Sequence, residues 1–280
     1  MITRHKAAGR TILFTFLVLL SAIFLVPIFL VLLNSFKSRL YISSAPFALP
    51  TAETFVGFEN YVNGLTTSGF FISFLRSLFI TVVSVLLIIV CTAMTSWFIV
   101  RVKNRFTSAL YYLFAFSMIV PFQMVMYTMT YIVNVLNFDN VAGITVVYLG
   151  FGAGLAVFMF SGFVKAVPLE IEEAAEIDGC NPLQTFFLVV MPVLKPTAIT
   201  VAILNAMWIW NDYLLPYLVL GTDDKTVPVA IQIAMQGAYG ATDYGGFMAM
   251  LVLAIIPIIA FYLSSQKYII KGVVAGAVKG

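Results

Sequence analysis

The sequence predicts an all-α polytopic membrane protein with six transmembrane helices and both termini in the cytoplasm. Three observations carry this reading. Of the 280 residues, 62% are apolar or aromatic and only 10% are charged, with a mean hydropathy of +1.04. A soluble domain has ~45–50% apolar and about 25% charged residues. Six long runs are almost free of charge, and each can cross ~30 Å of hydrocarbon at about 1.5 Å per residue as a helix that satisfies its own backbone. Lys and Arg segregate between the connections. The same composition argues against a soluble enzyme, a disordered chain, a disulfide scaffold and a nucleic-acid-binding protein. The net charge is only +3, and the basic residues do not cluster on one segment.

The runs are residues 12–33, 77–100, 107–133, 141–164, 197–220 and 246–265. The first follows Arg4, Lys6 and Arg10. It is longer than the ~7–15 residues of a signal-peptide core and has no small-residue cleavage site after it, so it reads as a retained span. Residues 34–76 form an external lead-in, where Phe58, Tyr61, Val62 and Leu65 have helical spacing suited to the interface or to packing on the bundle. Residues 101–106 and 134–140 are tight turns, and 221–245 form an external loop bearing Asp223, Asp224 and Asp243. Eleven Lys and Arg fall on the side of the termini and three on the other, with Arg76 at the mouth of the second span. That split sets the orientation. Pro27, Pro121, Pro216 and Pro257 fall within four of the spans and predict kinks.

The cytoplasmic loop 165–196 reads as helix, turn, helix. Pro168 suits a first helical position, and Glu170, Glu172 and Glu173 favour the positive helix end. Gly179 is a stop free to take positive φ. Asn181, Pro182 and Gln184 form a capping-box start, and Pro192 and Pro196 end the second helix before span five. Five of the chain's 12 acids lie here: Glu170, Glu172, Glu173, Glu176 and Asp178. They are mixed with Ile171, Ile177, Phe186 and Phe187. An acidic and apolar helix held between two spans either docks in a groove of a cytoplasmic partner or packs on its own bundle.

Glu173, Ala174, Ala175, Gly179 and Pro192 stand at the spacing of the EAA motif, so the segment resembles that of bacterial ABC importer permeases. Val189 and Met191 depart from the motif's Ile and Leu but keep apolar volume. Asp178-Gly179, the stretch Trp210-Asn211-Asp212-Tyr213 before Pro216, and the Gly272–Gly280 tail narrow the likeness. Over nearly its whole length the chain is similar to permeases of maltose-type carbohydrate importers, and to the second, MalG-like, of their two paired subunits. The resemblance implies an ABC importer type I (MetI-like) permease fold in a bacterial cytoplasmic membrane. It implies a second homologous permease, two copies of an ABC ATPase and an extracytoplasmic sugar-binding protein facing loop 221–245. Glu173, Ala174, Ala175, Asp178, Gly179 and Pro192 would couple to the ATPases through a helix at about 169–178, with residues 276–280 reaching towards them. ATP and Mg would be bound by those ATPases.

The chain itself carries no Gly-x-x-x-x-Gly-Lys-Ser/Thr segment and no cofactor signature. Gly150, Gly152 and Gly154 read as close helix contacts rather than a phosphate loop. Asp212 is the only acid within a span and is costly there. It lines the substrate path with Trp208 and Asn211, or it is a structural group paired with Arg76 or backbone. Tyr127 and Tyr131 belong to a polar stripe with Gln123, Thr130 and Asn134 that would face the same path. The single histidine, His5, lies in the N-terminal tail, which removes buried His-based catalysis and His metal sites. Cys91 and Cys180 make an improbable bridge. An ion-coupled secondary transporter would place more ionisable groups at midplane and leaves the EAA segment unexplained. Permeases for glycerol phosphate or amino acids remain alternatives for the cargo.

Overall fold

The computed structural model describes residues 2–67, 69–236 and 243–277. These residues form helices, connecting turns and one isolated antiparallel bridge, Lys37 with Phe55. The chain divides into two compact units, residues 1–70 with 231–257, and residues 71–230 with 258–280.

In the first unit, α1 (Ile2–Asn34) exposes apolar side chains on all sides, including Ile12, Phe14, Ile23 and Phe24. A helix apolar all round belongs in lipid or against other helices. Pro27 lies inside it without ending it. The lead-in that follows folds on itself through α2 (Arg39–Ser44) and α3 (Glu59–Thr67). Asn60 Nδ2 donates to the carbonyls of Ser35 and Lys37, both at 2.8 Å. Lys37 is buried and donates to the Ala45 carbonyl at 3.0 Å, and burial pulls its ammonium below the usual lysine range. Phe58, Val62 and Leu65 of the predicted interfacial stripe are exposed. Tyr61 instead packs on Phe36 and meets Ser35 Oγ through its hydroxyl at 2.7 Å.

The second unit is built on α4 (Phe70–Arg101), α5 (Arg105–Ser117), α6 (Phe122–Val135) and α7 (Gly143–Val164). After the loop that follows α7 come α11 (Lys195–Asn211) and α12 (Leu214–Leu220). Helix α7 is the central element, with Ile144, Tyr148, Ala156, Val157, Phe160 and Val164 fully buried. Both α5 and α11 pack on it. Its small residues permit the approach. A Cβ on Gly152 would stand 2.6 Å from Ile88 Cδ1 and 2.8 Å from Asn205 Oδ1, and one on Gly154 would stand 2.6 Å from Ser117 Oγ and 2.9 Å from the Phe114 carbonyl. Nothing lies within 4 Å of the same position at Gly150.

Among the described residues, four helices are long and apolar enough to cross a membrane: the portions 9–34, 70–101 and 143–164, and 244–268 of α14 (Tyr244–Ala277). Two further runs are broken. α5 and α6 meet at a bend of 109°, and the stretch Pro182–Val193 meets α11 at one of 78°. The expected straight third span, 107–133, is therefore a bent pair. Pro121 has no N–H and sits in extended backbone at the start of α6 (φ −64°, ψ 138°), which ends α5 before it. The expected fifth span, 197–220, is interrupted at Asp212, and Pro216 lies in the first turn of α12, where a missing N–H is free of cost. Pro257 lies within α14 without ending it.

The stretch read as an external loop, 221–245, contains α13 (Val227–Gln236), with Val227, Val229 and Ala230 buried. Its start is pinned where Ser77 Oγ accepts from Val227 N at 2.8 Å. The rest of that stretch, 237–242, and residues 278–280 of the expected tail lie outside the described residues. A testable consequence follows for α7. Gly154→Ala should cost about 1–3 kcal/mol by overpacking, read as a lower Tm of the detergent-purified chain. Gly150→Ala should leave Tm unchanged or raise it.

Candidate functional site

The loop between α7 and α11 holds α8 (Glu170–Ile177), a three-residue turn α9 (Pro182–Gln184), a π-turn at Thr185–Val190 and a last turn α10 (Met191–Val193). Three carboxylates occupy the first turn of α8, where the helix dipole is positive. The helix closes by a Schellman arrangement. Cys180 N donates to the Ala175 carbonyl and Gly179 N to that of Glu176, each at 3.0 Å. Gly179 sits at φ +86°, a conformation that strains any residue with a Cβ. The next turn opens with the predicted capping box: Gln184 N donates to Asn181 Oδ1 at 2.9 Å, and Asn181 N donates to Gln184 Oε1 at 2.8 Å. Pro192 does not end this helix as expected. It follows the π-turn, whose wider ladder accommodates a missing N–H and the proline ring, and the chain turns only at Leu194. Pro196 begins α11.

One face of α8 is buried and the other is free. Glu172 and Ala175 point inward, above Phe186 and Val190, which are fully buried. Glu172 is 4% exposed. Its carboxylate accepts from Arg101 Nε at 3.0 and 3.1 Å, from Arg101 Nη2, and from Trp97 Nε1 at 2.9 Å. Arg101 Nη2 also donates to the Val167 carbonyl at 3.0 Å. The guanidinium thus ties the end of α4 to both ends of the segment leading into α8. Trp97 lies against Phe186, centroids 5.7 Å apart. On the opposite face, Glu173, Ala174, Glu176 and Ile177 are exposed, Ile177 at 86%. Asp178 caps the helix and is exposed with Gly179.

Of the loop residues singled out in the sequence, Glu173, Ala174, Asp178 and Gly179 therefore share the outer side of α8 and its exit. Ala175 faces inward, and Pro192 stands apart on the second helix. The sequence reading missed Arg101 and Trp97 as partners of this loop, and treated Glu172 only as one acid among five. The available signal was Trp97 and Arg101 at i and i+4 on one face of α4, at the mouth of an apolar span.

The substrate-path residues fall on two helices. On α11, Leu204, Met207, Trp208 and Asn211 form one exposed stripe at i, i+3, i+4 and i+7. On α6, Gln123, Tyr127, Tyr131 and Asn134 form another, with Tyr127 77% and Tyr131 71% exposed. Asp212 lies at the end of α11. Its Oδ1 accepts from Leu214 N at 3.1 Å and Leu215 N at 3.4 Å, capping α12, and its Oδ2 accepts from the buried Tyr148 hydroxyl at 3.1 Å. Tyr148 in turn meets Trp208 edge-on at 5.5 Å. Arg76 is not the partner of Asp212: it pairs with Asp224 at 2.6 Å and donates to the Asp223 carbonyl at 3.1 Å. Among the described residues no group of three or more His, Cys, Asp and Glu is placed to hold a metal.

Apolar helices long enough to span a bilayer, with an anchored helix between two of them that leaves one face free, define a polytopic membrane protein. Residues 87–274 match the family described as "Binding-protein-dependent transport system inner membrane component", and the chain belongs to that family. It is 36% identical to the "Probable starch degradation products transport system permease protein AmyC" of Thermoanaerobacterium thermosulfurigenes, covering 98% of this chain and 99% of that one. It is 35% identical to the "Multiple sugar-binding transport system permease protein MsmG" of Streptococcus mutans serotype c, covering 91% and 92%. A solved structure titled as that of a bacterial ABC transporter involved in import of the acidic polysaccharide alginate shares the fold. Its TM-score is 0.74 at 22% identity, covering 93% of this chain and 97% of that one. The chain is an ABC importer permease of the inner membrane, a transport subunit whose ATPase is a separate protein and whose cargo arrives on a binding protein.

The Glu172–Arg101 pair gives a direct test. Glu172→Ala leaves a largely buried guanidinium with less than half its hydrogen bonds and should cost about 2–4 kcal/mol. The expected readout is a lower Tm and faster proteolysis within residues 165–196. A paired Glu172→Met, Arg101→Leu variant should recover much of the loss.

Proposed function

We propose that this permease carries a sugar or oligosaccharide across the cytoplasmic membrane by alternating access, driven through α8 by two ATPase subunits. The free face of α8, opposed to a buried face clamped on α4, carries this reading. A lever must present a partner-specific surface and must not flex where it joins the bundle. Glu173, Glu176 and Ile177 supply the surface, and the Glu172–Arg101–Trp97 contacts supply the stiffness. Closure of the ATPases on ATP draws such helices together and rocks the spans as rigid bodies. Ala174, Asp178, Gly179 and Pro192 shape the lever and its exit.

In this reading α5 with α6 forms one span and α11 with α12 another, giving six, with both termini in the cytoplasm. The distribution of Lys and Arg supports that orientation. A second, homologous permease stands opposite, and the exposed stripes of α6 and α11 face it across the path. Tyr127, Tyr131 and Trp208 offer ring faces to the sugar, and Asn211 offers hydrogen bonds. Asp212 sets the bend at which α11 ends and meets cargo through its partly exposed edge. Residues 221–245 face the sugar-binding protein. The names of the relatives, which transport starch degradation products and multiple sugars, support a carbohydrate cargo.

The test is co-purification of the ATPase through a tag on this chain, expressed with its neighbouring permease, ATPase and binding-protein genes. Wild type should bring the ATPase. Glu173→Lys should reverse one charge on the docking face and lose or uncouple it while keeping Tm. Gly179→Trp, forced out of positive φ, should misdirect α8 with the same effect. Sugar-stimulated ATPase activity over a panel of oligosaccharides identifies the cargo, and Trp208→Ala should raise the concentration needed. A well-folded wild type that brings no ATPase removes the coupling role from α8.

A further inference from the structure

A cavity of about 420 Å³ opens where α4 ends, α5 begins and α7 ends. Arg101, Lys103 and Lys165 line it, and no lining residue is acidic. Among the described residues, neither lysine is paired with a carboxylate, since the two ion pairs present use Arg76 and Arg101. Arg101 spends Nε and Nη2 on Glu172 and Val167, and no hydrogen bond from its Nη1 is seen. Lys165 Nζ stands 5.6 Å from the Tyr111 ring centroid, held over the cavity rather than trailing away. Ser161, 1% exposed, lines the same cavity, and its Oγ has no hydrogen-bond partner among the described residues. A buried hydroxyl left unpaired in this way costs stability unless a ligand meets it.

We propose that this cavity binds the phosphate of an anionic phospholipid headgroup. The chemistry is that of a phosphate site: three cations, a buried hydroxyl and the phenols of Tyr111 and Tyr112, with no acid in the lining and with Glu172 meeting Arg101 only through Nε and Nη2. The depth is that of a headgroup. Arg101 is the last residue of one candidate span, and Lys165 follows the last residue of another. Exposed apolar side chains beside the cavity, Phe106, Tyr112, Leu113 and Phe116 on α5, offer acyl chains a path. Basic pockets between helices at the membrane face hold lipid phosphates by these same forces, and tyrosines favour that depth. The site also bears on the lever, because Arg101 is shared between the cavity and the Glu172 clamp. A lipid phosphate seated there adds negative charge to the guanidinium that holds α8.

The experiment is native mass spectrometry of the complex purified in non-ionic detergent, titrated with phosphatidylglycerol and, separately, phosphatidylcholine. Wild type should bind phosphatidylglycerol about tenfold more tightly than phosphatidylcholine. Lys103→Gln with Lys165→Gln should abolish that preference, Lys103→Arg with Lys165→Arg should keep it, and Lys267→Gln, away from the cavity, should not change it. Equal preference in wild type and the double Gln variant overturns the proposal. In a parallel arm, millimolar inorganic phosphate is added alone and Tm is followed. A Tm rise that depends on the two lysines, without lipid preference, assigns the cavity to a soluble phosphate and overturns the lipid source.

Discussion

The bidentate contact of Glu172 with Arg101 is the interaction on which the loop between α7 and α11 depends. A carboxylate and a guanidinium taken out of water are tolerable only when nearly every lone pair and N–H is met. Here Trp97 adds a further donor to the carboxylate, and the Val167 carbonyl takes a second hydrogen bond from Nη2. The contact fixes the rotation of α8 about its axis. Glu172 and Ala175 face inward, so Glu173, Glu176 and Ile177 face out. A one-residue change in phase would bury Glu173 and expose Glu172. The pair is therefore what decides which acids of this short helix meet a partner.

The same contact links surface to span. Arg101 ends α4, whose 32 residues make it the longest element of its unit. A displacement of α8 is transmitted through a pair of parallel charged hydrogen bonds and an indole rather than through a flexible connection. The exit of α8 is equally constrained, by the Schellman closure at Gly179 and the capping box at Asn181. Together they set the direction of the second helix, and the π-turn then absorbs Pro192 without a break. The Arg101 guanidinium also borders the cationic cavity between α4, α5 and α7, so two charge-dependent features share one side chain.

Bends in this chain come from different causes. Pro27 and Pro257 are carried within continuous helices. Pro121 sits in extended backbone, and α5 and α6 part at 109°. At Asp212, it is the side chain that ends one helix and caps the next, with Tyr148 holding its second oxygen. The Gly152 and Gly154 positions show the complementary device, with neighbouring side chains, and at Gly154 the Phe114 carbonyl, so close that a methyl group has no room.

Much of this was legible in the sequence. Apolar runs and sparse charge gave the class of protein, because each reports a local free energy of transfer that needs no partner. The caps of the loop between α7 and α11 were legible for the same reason: Gly179, Asn181 and Gln184 act within a few residues of themselves. What the sequence left open was every choice between distant partners. It offered Arg76 to Asp212, but the fold gives Arg76 to Asp224 and Asp212 to Tyr148 and the first turn of α12. It counted Glu172 among five acids and Arg101 among the topology charges, although they meet across 71 positions of chain. Nor did it show that Pro121 would break a helix where Pro27 would not. Local chemistry settles what an element is. Only packing settles which of its faces is buried, what it is buried against and how its neighbours turn.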